Sequence, residues 1–99
     1  MIRINNAPRD PYDYPSLCLD KEEVINVRTR EQDKRVRDKL TALGFTWCLG
    51  KPFNAHSYWH QNMANTCINP KAGSYSRIGF YEGQGSRIVT AIKWFERFN

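Results

Sequence analysis

The sequence contains no long apolar run. Within its 99 residues, no stretch approaches the roughly 20 consecutive apolar residues that a membrane-spanning helix requires. Its first residues also lack the apolar segment behind a basic start that is typical of a secretory signal. We therefore expect a cytoplasmic protein that does not contact a membrane.

Cysteine is scarce and unpaired. Cys18, Cys48 and Cys67 lie far apart and form no C-x-x-C pair, which argues against a disulfide framework. We expect Cys48 and Cys67 to be reduced, buried apolar residues. His56 and His60 stand between them, four residues apart, so a Cys–His–His–Cys zinc site is the alternative. Structural zinc ligands are normally closely paired in sequence, and we predict neither a metal nor a cofactor.

Catalytic motifs are absent as well. The chain has no Walker-type phosphate loop and no G-x-G-x-x-G pattern. No nucleophile motif surrounds Cys48 or Cys67. The carboxylates fall mostly in the N-terminal residues or in a charged helical stretch, and Glu82 lies in an expected turn. The sequence therefore predicts a protein that is not an enzyme.

The composition is that of one small globular domain with a basic surface. The hydrophobic fraction of 40% and the charged fraction of 25% distinguish it from a disordered chain. The formal net charge of +5 favours an anionic partner.

Residues 24–50 carry the clearest structural signals. Residues 24–28 are rich in β-branched side chains and predict a strand. Thr29 and Gln32 have the spacing of a capping box, and Gly44 stands where a left-handed residue ends a helix.

The apolar face of that helix consists of Val36, Leu40 and Leu43. Its exposed face offers three pairs of opposite charge four residues apart: Glu31–Arg35, Asp33–Arg37 and Lys34–Asp38. Residues 45–49 alternate apolar and polar side chains and predict a second strand.

The remaining segments complete an α+β prediction. Residues 1–16 contain three prolines and predict an extended arm, with residues 17–99 forming a single domain. Residues 66–69, 74–81 and 87–89 predict a short antiparallel meander of two or three strands. Thr90 is placed to cap a C-terminal helix that buries Ile92 and Phe95, with Trp94 and Phe98 as further candidates for burial. We therefore expect β-α-β followed by the meander and a C-terminal helix, as one sheet with helices on one face.

Residues 40–47, LTALGFTW, resemble a pattern found in small accessory proteins of tailed bacteriophages. In those proteins, a strand and helix lead into L-x-x-L-G-[FY]-x-W, then a glycine turn, a short meander and a terminal helix that begins with Thr-Ala, as Thr90-Ala91 does here. The resemblance covers residues 24–98. It implies a phage protein that acts in the cytoplasm of the infected bacterium, where it counters host defence or redirects host functions by binding a protein, a nucleic acid or a nucleotide signal.

One candidate site is a ligand-binding strand face. If residues 74–81 form one strand, Tyr75, Arg77 and Tyr81 share a face and place a cation among aromatic rings. Such a face can stack a base and contact a phosphate, although a solvated sheet face with tyrosine pairs has the same composition. Further positive charge would come from Lys71, Arg87, Arg30, Lys34 and Arg37. This candidate predicts binding of a nucleotide or nucleic acid.

The alternative is a protein interface. Aromatic residues lie in segments without regular periodicity, and such residues commonly anchor interfaces. They are Tyr12, Tyr14, Phe53, Tyr58 and Trp59. Residues 53–65 form an irregular stretch of a length that is often functional. The protein would then be an inhibitor or adaptor of a host or defence protein, and a homodimer could combine both roles. Packing of the arm and loop against their own domain would explain the same residues.

Overall fold

The structure, a computed structural model, describes residues 22–98. Four strands form one mixed sheet: β1 Glu23–Asn26, β2 Thr66–Asn69, β3 Ser74–Arg77 and β4 Arg87–Thr90. The helices are α1 Arg30–Ala42, α2 Trp59–Asn62, α3 Ile78–Gly83 and α4 Ala91–Phe95. The strand order is β3-β2-β1-β4, in which β1 is parallel to β4 and antiparallel to β2. The expected α+β class with a single sheet is confirmed, whereas the predicted arm at residues 1–16 lies outside the described residues.

The N-terminus of α1 has the predicted pair of capping hydrogen bonds, with Gln32 reaching back to Arg28, the residue before the N-cap Thr29. The backbone N–H of Gln32 donates to Oγ1 of Thr29 at 3.0 Å. The side-chain oxygen of Gln32 accepts from the backbone N–H of Arg28 at 2.9 Å. Two polar groups of the strand-to-helix junction are thus satisfied by local sequence, which fixes the direction in which α1 leaves β1.

The C-terminus of α1 also ends where the sequence predicts. Gly44 adopts a positive φ of 91°. Its N–H donates to the carbonyl of Thr41, and the N–H of Phe45 donates to the carbonyl of Leu40, both at 3.0 Å. These paired bonds are those of the Schellman motif, and they turn the chain back towards the sheet.

The strand predicted at residues 45–49 is wrong. This stretch makes only one isolated bridge, between Thr46 and Pro52, outside the sheet. It forms a tight turn in which Trp47 accepts from Gly50 and donates to Lys51 through backbone bonds of 2.8 Å. Gly50 closes the turn with a φ of 95°. The turn satisfies these backbone groups locally, and β2 and β4 occupy the positions beside β1.

The strand predicted at residues 74–81 is correct only as far as Arg77. The chain then forms α3, which buries Tyr81 against Val24 and Cys67 on one face of the sheet. The residues that pack there, Ile78 and Tyr81, are three positions apart and therefore share a helical face. The helix supplies the cover that the apolar side chains of this sheet face require.

Helices consequently cover both faces of the sheet, which corrects the prediction of one covered face. The larger core lies on the face that α1 and α4 cover. It consists of Ile25, Val27, Val36, Leu40, Trp47, Phe53, Ile68, Ala91 and Trp94. The physical reason is that alternation along β1 points Val24 to the opposite face from Ile25, so each face has an apolar residue to bury.

The C-terminal helix is capped as predicted but turned differently. Thr90 accepts from the backbone N–H of Lys93 at 3.2 Å. Trp94 is the fully buried residue, whereas Ile92, predicted to be buried, is 65% exposed. Phe95 is half-buried. Among residues 22–98, no helix is long and apolar enough to cross a membrane.

Candidate functional site

An open cleft of about 430 Å³ lies beside the edge strand β3. Its walls are the turn at residues 47–51, the segment 55–58 and the beginning of β3. The lining residues are Trp47, Cys48, Leu49, Lys51, Ala55, His56, Tyr58, Gly73, Ser74 and Tyr75. We call this feature the aromatic cleft.

Four of the lining residues carry aromatic rings, and these rings contact one another. Tyr58 and Tyr75 are stacked, with ring centroids 4.3 Å apart and planes 7° from parallel. Trp47 meets Tyr58 edge-on at 5.1 Å, and His56 lies 4.4 Å from Tyr58. The hydroxyl of Tyr75 donates to the side-chain oxygen of Gln61 at 2.8 Å. These contacts hold the rings in place before any ligand arrives.

Gly73 joins two walls of the cleft. Its carbonyl accepts from the backbone N–H of Cys48 at 2.9 Å. A Cβ on Gly73 would lie 2.4 Å from that nitrogen and 2.7 Å from the carbonyl oxygen of Thr46. Only glycine permits this approach, and its φ of 66° is also one that glycine adopts most readily.

The charge in the cleft is positive. Lys51 and His56 line it, and no aspartate or glutamate is among the described residues that do so. Leu49 stands on its lining with 91% of its surface exposed. The arrangement therefore offers rings, one permanent cation and an exposed apolar side chain.

Two hydrogen bonds to the core fix the segment that carries His56 and Tyr58. The hydroxyl of Ser57 donates to Oδ2 of the buried Asp33 at 2.7 Å. The indole N–H of Trp59 donates to the carbonyl of Val27 at 3.0 Å. The irregular stretch of the sequence is thus anchored to both α1 and the end of β1. Asp33, expected on a solvated face, is instead buried. Hydrogen bonds from Ser57 and Arg37 satisfy its carboxylate there.

The residues predicted to bind a ligand do not converge. Tyr75 lies in the aromatic cleft, and Arg77 is exposed on the same side of β3 because it is two residues further along. Tyr81 is buried on the other face of the sheet, so its predicted place beside them is wrong. Arg87 belongs to β4, the opposite edge strand, and Lys71 lies in the turn between β2 and β3.

The residues predicted to form a protein interface also separate. Tyr58 is part of the aromatic cleft, whereas Phe53 is fully buried beneath Trp47, with ring centroids 4.3 Å apart. Trp59 is half-buried, with Arg30 over its ring. Self-packing therefore explains Phe53 and Trp59. Tyr12 and Tyr14 lie outside the described residues.

The cysteines occupy different environments. Cys67 is buried beside Val24 and Tyr81, as expected, and burial raises the pKa of its thiol to about 11. Cys48, expected to be buried, is exposed in the aromatic cleft. Within residues 22–98, no group of three or more histidine, cysteine, aspartate or glutamate side chains is placed to hold a metal ion.

Sequence reasoning missed Trp47 and Lys51 as site residues and considered His56 only as a possible zinc ligand. The signals available were the Gly-Lys-Pro turn after Trp47 and the alternation of His56 and Tyr58 about Ser57. Neither signal shows that these segments meet β3. A comparison with protein-family models, curated proteins and solved structures found no significant match.

Proposed function

We propose that this protein is a non-enzymatic binding protein whose aromatic cleft takes a phosphate-bearing ligand with a planar ring, such as a nucleotide. The observation that carries this proposal is the pairing of contacting aromatic rings with Lys51 in a lining whose described residues include no carboxylate. The volume of about 430 Å³ falls within the range of small-molecule sites, roughly 300–1,000 Å³.

Each part of the cleft has a role in this proposal. A base can pack against the rings of the cleft, a contact that contributes about 1–3 kcal/mol per base where stacking has been tested by alanine substitution. Lys51 neutralises a phosphate. Arg77 lies two residues beyond Tyr75, about 7 Å along the strand, and extends the positive surface for a longer ligand.

The resemblance to phage accessory proteins supplies the biological setting of the proposal. In that setting the protein acts in the cytoplasm of an infected bacterium and sequesters a nucleotide signal or contacts nucleic acid. It would thereby counter host defence or redirect host functions. Its net charge of +5 favours encounter with such anionic ligands.

Isothermal titration calorimetry with mononucleotides, cyclic dinucleotides and short oligonucleotides tests the proposal. Lys51→Ala should weaken binding, because it removes the permanent cation of the cleft. Lys93→Ala is the matched control, since Lys93 is exposed on α4, which follows the opposite edge strand. Equal affinity of both variants for every ligand that binds, or no binding at all, would contradict the proposal.

A protein ligand is the second candidate function, as an inhibitor or adaptor of a host or defence protein. The observation that favours it is Leu49, because a leucine that is 91% exposed beside aromatic rings is suited to a partner's apolar surface. In a pull-down from bacterial lysate, the Leu49→Ser variant should fail to capture a specific partner that the unsubstituted protein captures. Ile92→Ser, at an exposed apolar residue on α4, should retain it.

A further inference from the structure

A second concave surface lies on the flank of α1. It has a volume of about 540 Å³ and is lined by Arg30, Glu31, Lys34, Arg37 and Ser57. Three cations and one carboxylate belong to this lining, and Asp33 and Asp38 pair with Arg37 and Lys34. We call it the basic groove.

The cations of the basic groove differ in their contacts. The guanidinium of Arg30 lies over the ring of Trp59, 5.1 Å from its centroid. Arg37 is held by Asp33, which accepts from its Nε at 2.9 Å. One of the five guanidinium N–H donors is used in that bond. Lys34 is 70% exposed and pairs at the surface with Asp38. The groove thus combines two guanidinium groups held by neighbouring side chains with an exposed ammonium group that is paired to Asp38.

The basic groove and the aromatic cleft are both lined by residues of the segment 56–58. His56 and Tyr58 line the cleft, whereas Ser57, between them, lines the groove. His56 has an extended backbone, with φ −156° and ψ 144°. Successive side chains of extended chain point to opposite sides. The two concave surfaces are therefore separated by little more than the backbone at Ser57.

We propose that the ligand of this protein is single-stranded nucleic acid that crosses the backbone at Ser57. One base occupies the aromatic cleft, and a phosphate of a neighbouring nucleotide occupies the basic groove. The inference rests on the proposed function and narrows its ligand class. A free single strand suits this arrangement, because its unstacked bases can pack on aromatic side chains while cations follow its backbone.

Fluorescence anisotropy with a length series tests the inference on the full chain. Labelled mononucleotide, dinucleotide, tetranucleotide and decanucleotide of one sequence are titrated at several salt concentrations. Affinity should rise steeply once the ligand is long enough to span both surfaces. Lys34→Ala should weaken oligonucleotide binding about fivefold at 0.1 M salt and lower the salt slope by about 0.7, the values expected for one lost phosphate contact with a single strand. It should leave mononucleotide binding unchanged.

The variants distinguish this inference from the proposed function. Lys51→Ala should weaken mononucleotide and oligonucleotide alike, since it acts in the cleft that both occupy. If oligonucleotides bind no more tightly than the mononucleotide and Lys34→Ala changes neither, the crossing is refuted while the cleft remains. If nothing in the series binds, both are refuted. Lys93→Ala, with the same loss of charge, should match the unsubstituted protein throughout.

Discussion

Replacement of Gly73 by alanine should displace one wall of the aromatic cleft. The new Cβ would lie 2.4 Å from the nitrogen of Cys48, 2.7 Å from the carbonyl oxygen of Thr46 and 2.7 Å from the carbonyl carbon of Trp47. All three are backbone atoms, so no side chain can rotate away. The turn at residues 46–48 must move as a unit, and the bond from Cys48 to Gly73 must lengthen or break.

The cost of this substitution has two parts. The left-handed conformation at φ 66° costs an alanine about 1–2 kcal/mol. Forcing apart a packed contact costs about 1–3 kcal/mol more. Gly50→Ala separates the two, because Gly50 also has a positive φ, of 95°, but a Cβ there would meet no atom of a more distant residue within 4 Å. We therefore expect Gly73→Ala to lose about 1–3 kcal/mol more stability than Gly50→Ala.

Urea denaturation followed by tryptophan fluorescence measures the free energy of unfolding of both variants. Trp47 reports directly from the cleft. The Gly73 variant should also bind the cleft ligand less tightly than the Gly50 variant under conditions where both remain folded. Equal losses of unfolding free energy in the two variants would refute the close approach and, with it, the described position of the turn.

Further predictions concern the core, the strained backbone and the cysteines. Glu23→Gln should lower the free energy of unfolding by about 3 kcal/mol, because it leaves Arg97 without the buried carboxylate that it contacts at 2.6 and 2.7 Å; a loss below about 1 kcal/mol in urea denaturation would contradict this. Met63→Gly should raise the thermal midpoint, since its φ of 48° costs a methionine about 1–3 kcal/mol and a glycine less; a lowered midpoint would contradict it. Cys48 should react with a thiol reagent in mildly alkaline buffer while Cys67 reacts only on unfolding, and equal rates would be the contrary result. Because the native pKa of Cys67 is raised from 9.0 to about 11, the unfolded chain releases this proton first, so its contribution to stability should be lost as the pH rises from about 9 to 11, measurable as a fall in the urea midpoint.

Local chemistry made the ends of α1 predictable. The Thr29–Gln32 capping box and the left-handed Gly44 depend on residues within a few positions of each other, and both form as expected. The segment after Arg77 was not predictable in this way. If residues 78–81 continued the strand, Ile78 and Phe80 would face the protein interior. In the helix that forms instead, Ile78 and Tyr81 face the interior. Which of the two structures forms depends on Val24 and Cys67, apolar side chains of the sheet that lie far away in sequence and must be shielded from solvent.

The candidate site was predicted only in part for the same reason. Tyr58 and Tyr75 were each recognised as candidate residues, but in separate hypotheses, because nothing in their spacing indicates that the two rings stack. Their contact depends on the path of residues 47–58 beside β3. That path is set by Gly73, whose close approach to Cys48 has no signature in the sequence beyond a glycine in a turn.

The capping box at the start of α1 also determines where the site lies. The segment that separates the aromatic cleft from the basic groove is tied to Val27 through Trp59 and to Asp33 through Ser57. Both acceptors flank the junction that Thr29 and Gln32 fix. An irregular segment is thus anchored to residues that flank the most clearly predicted junction of the chain. Because its anchors are formed before any ligand arrives, little conformational entropy remains to be lost on binding. An irregular segment of this kind can therefore present His56 and Tyr58 on one side and Ser57 on the other in fixed positions.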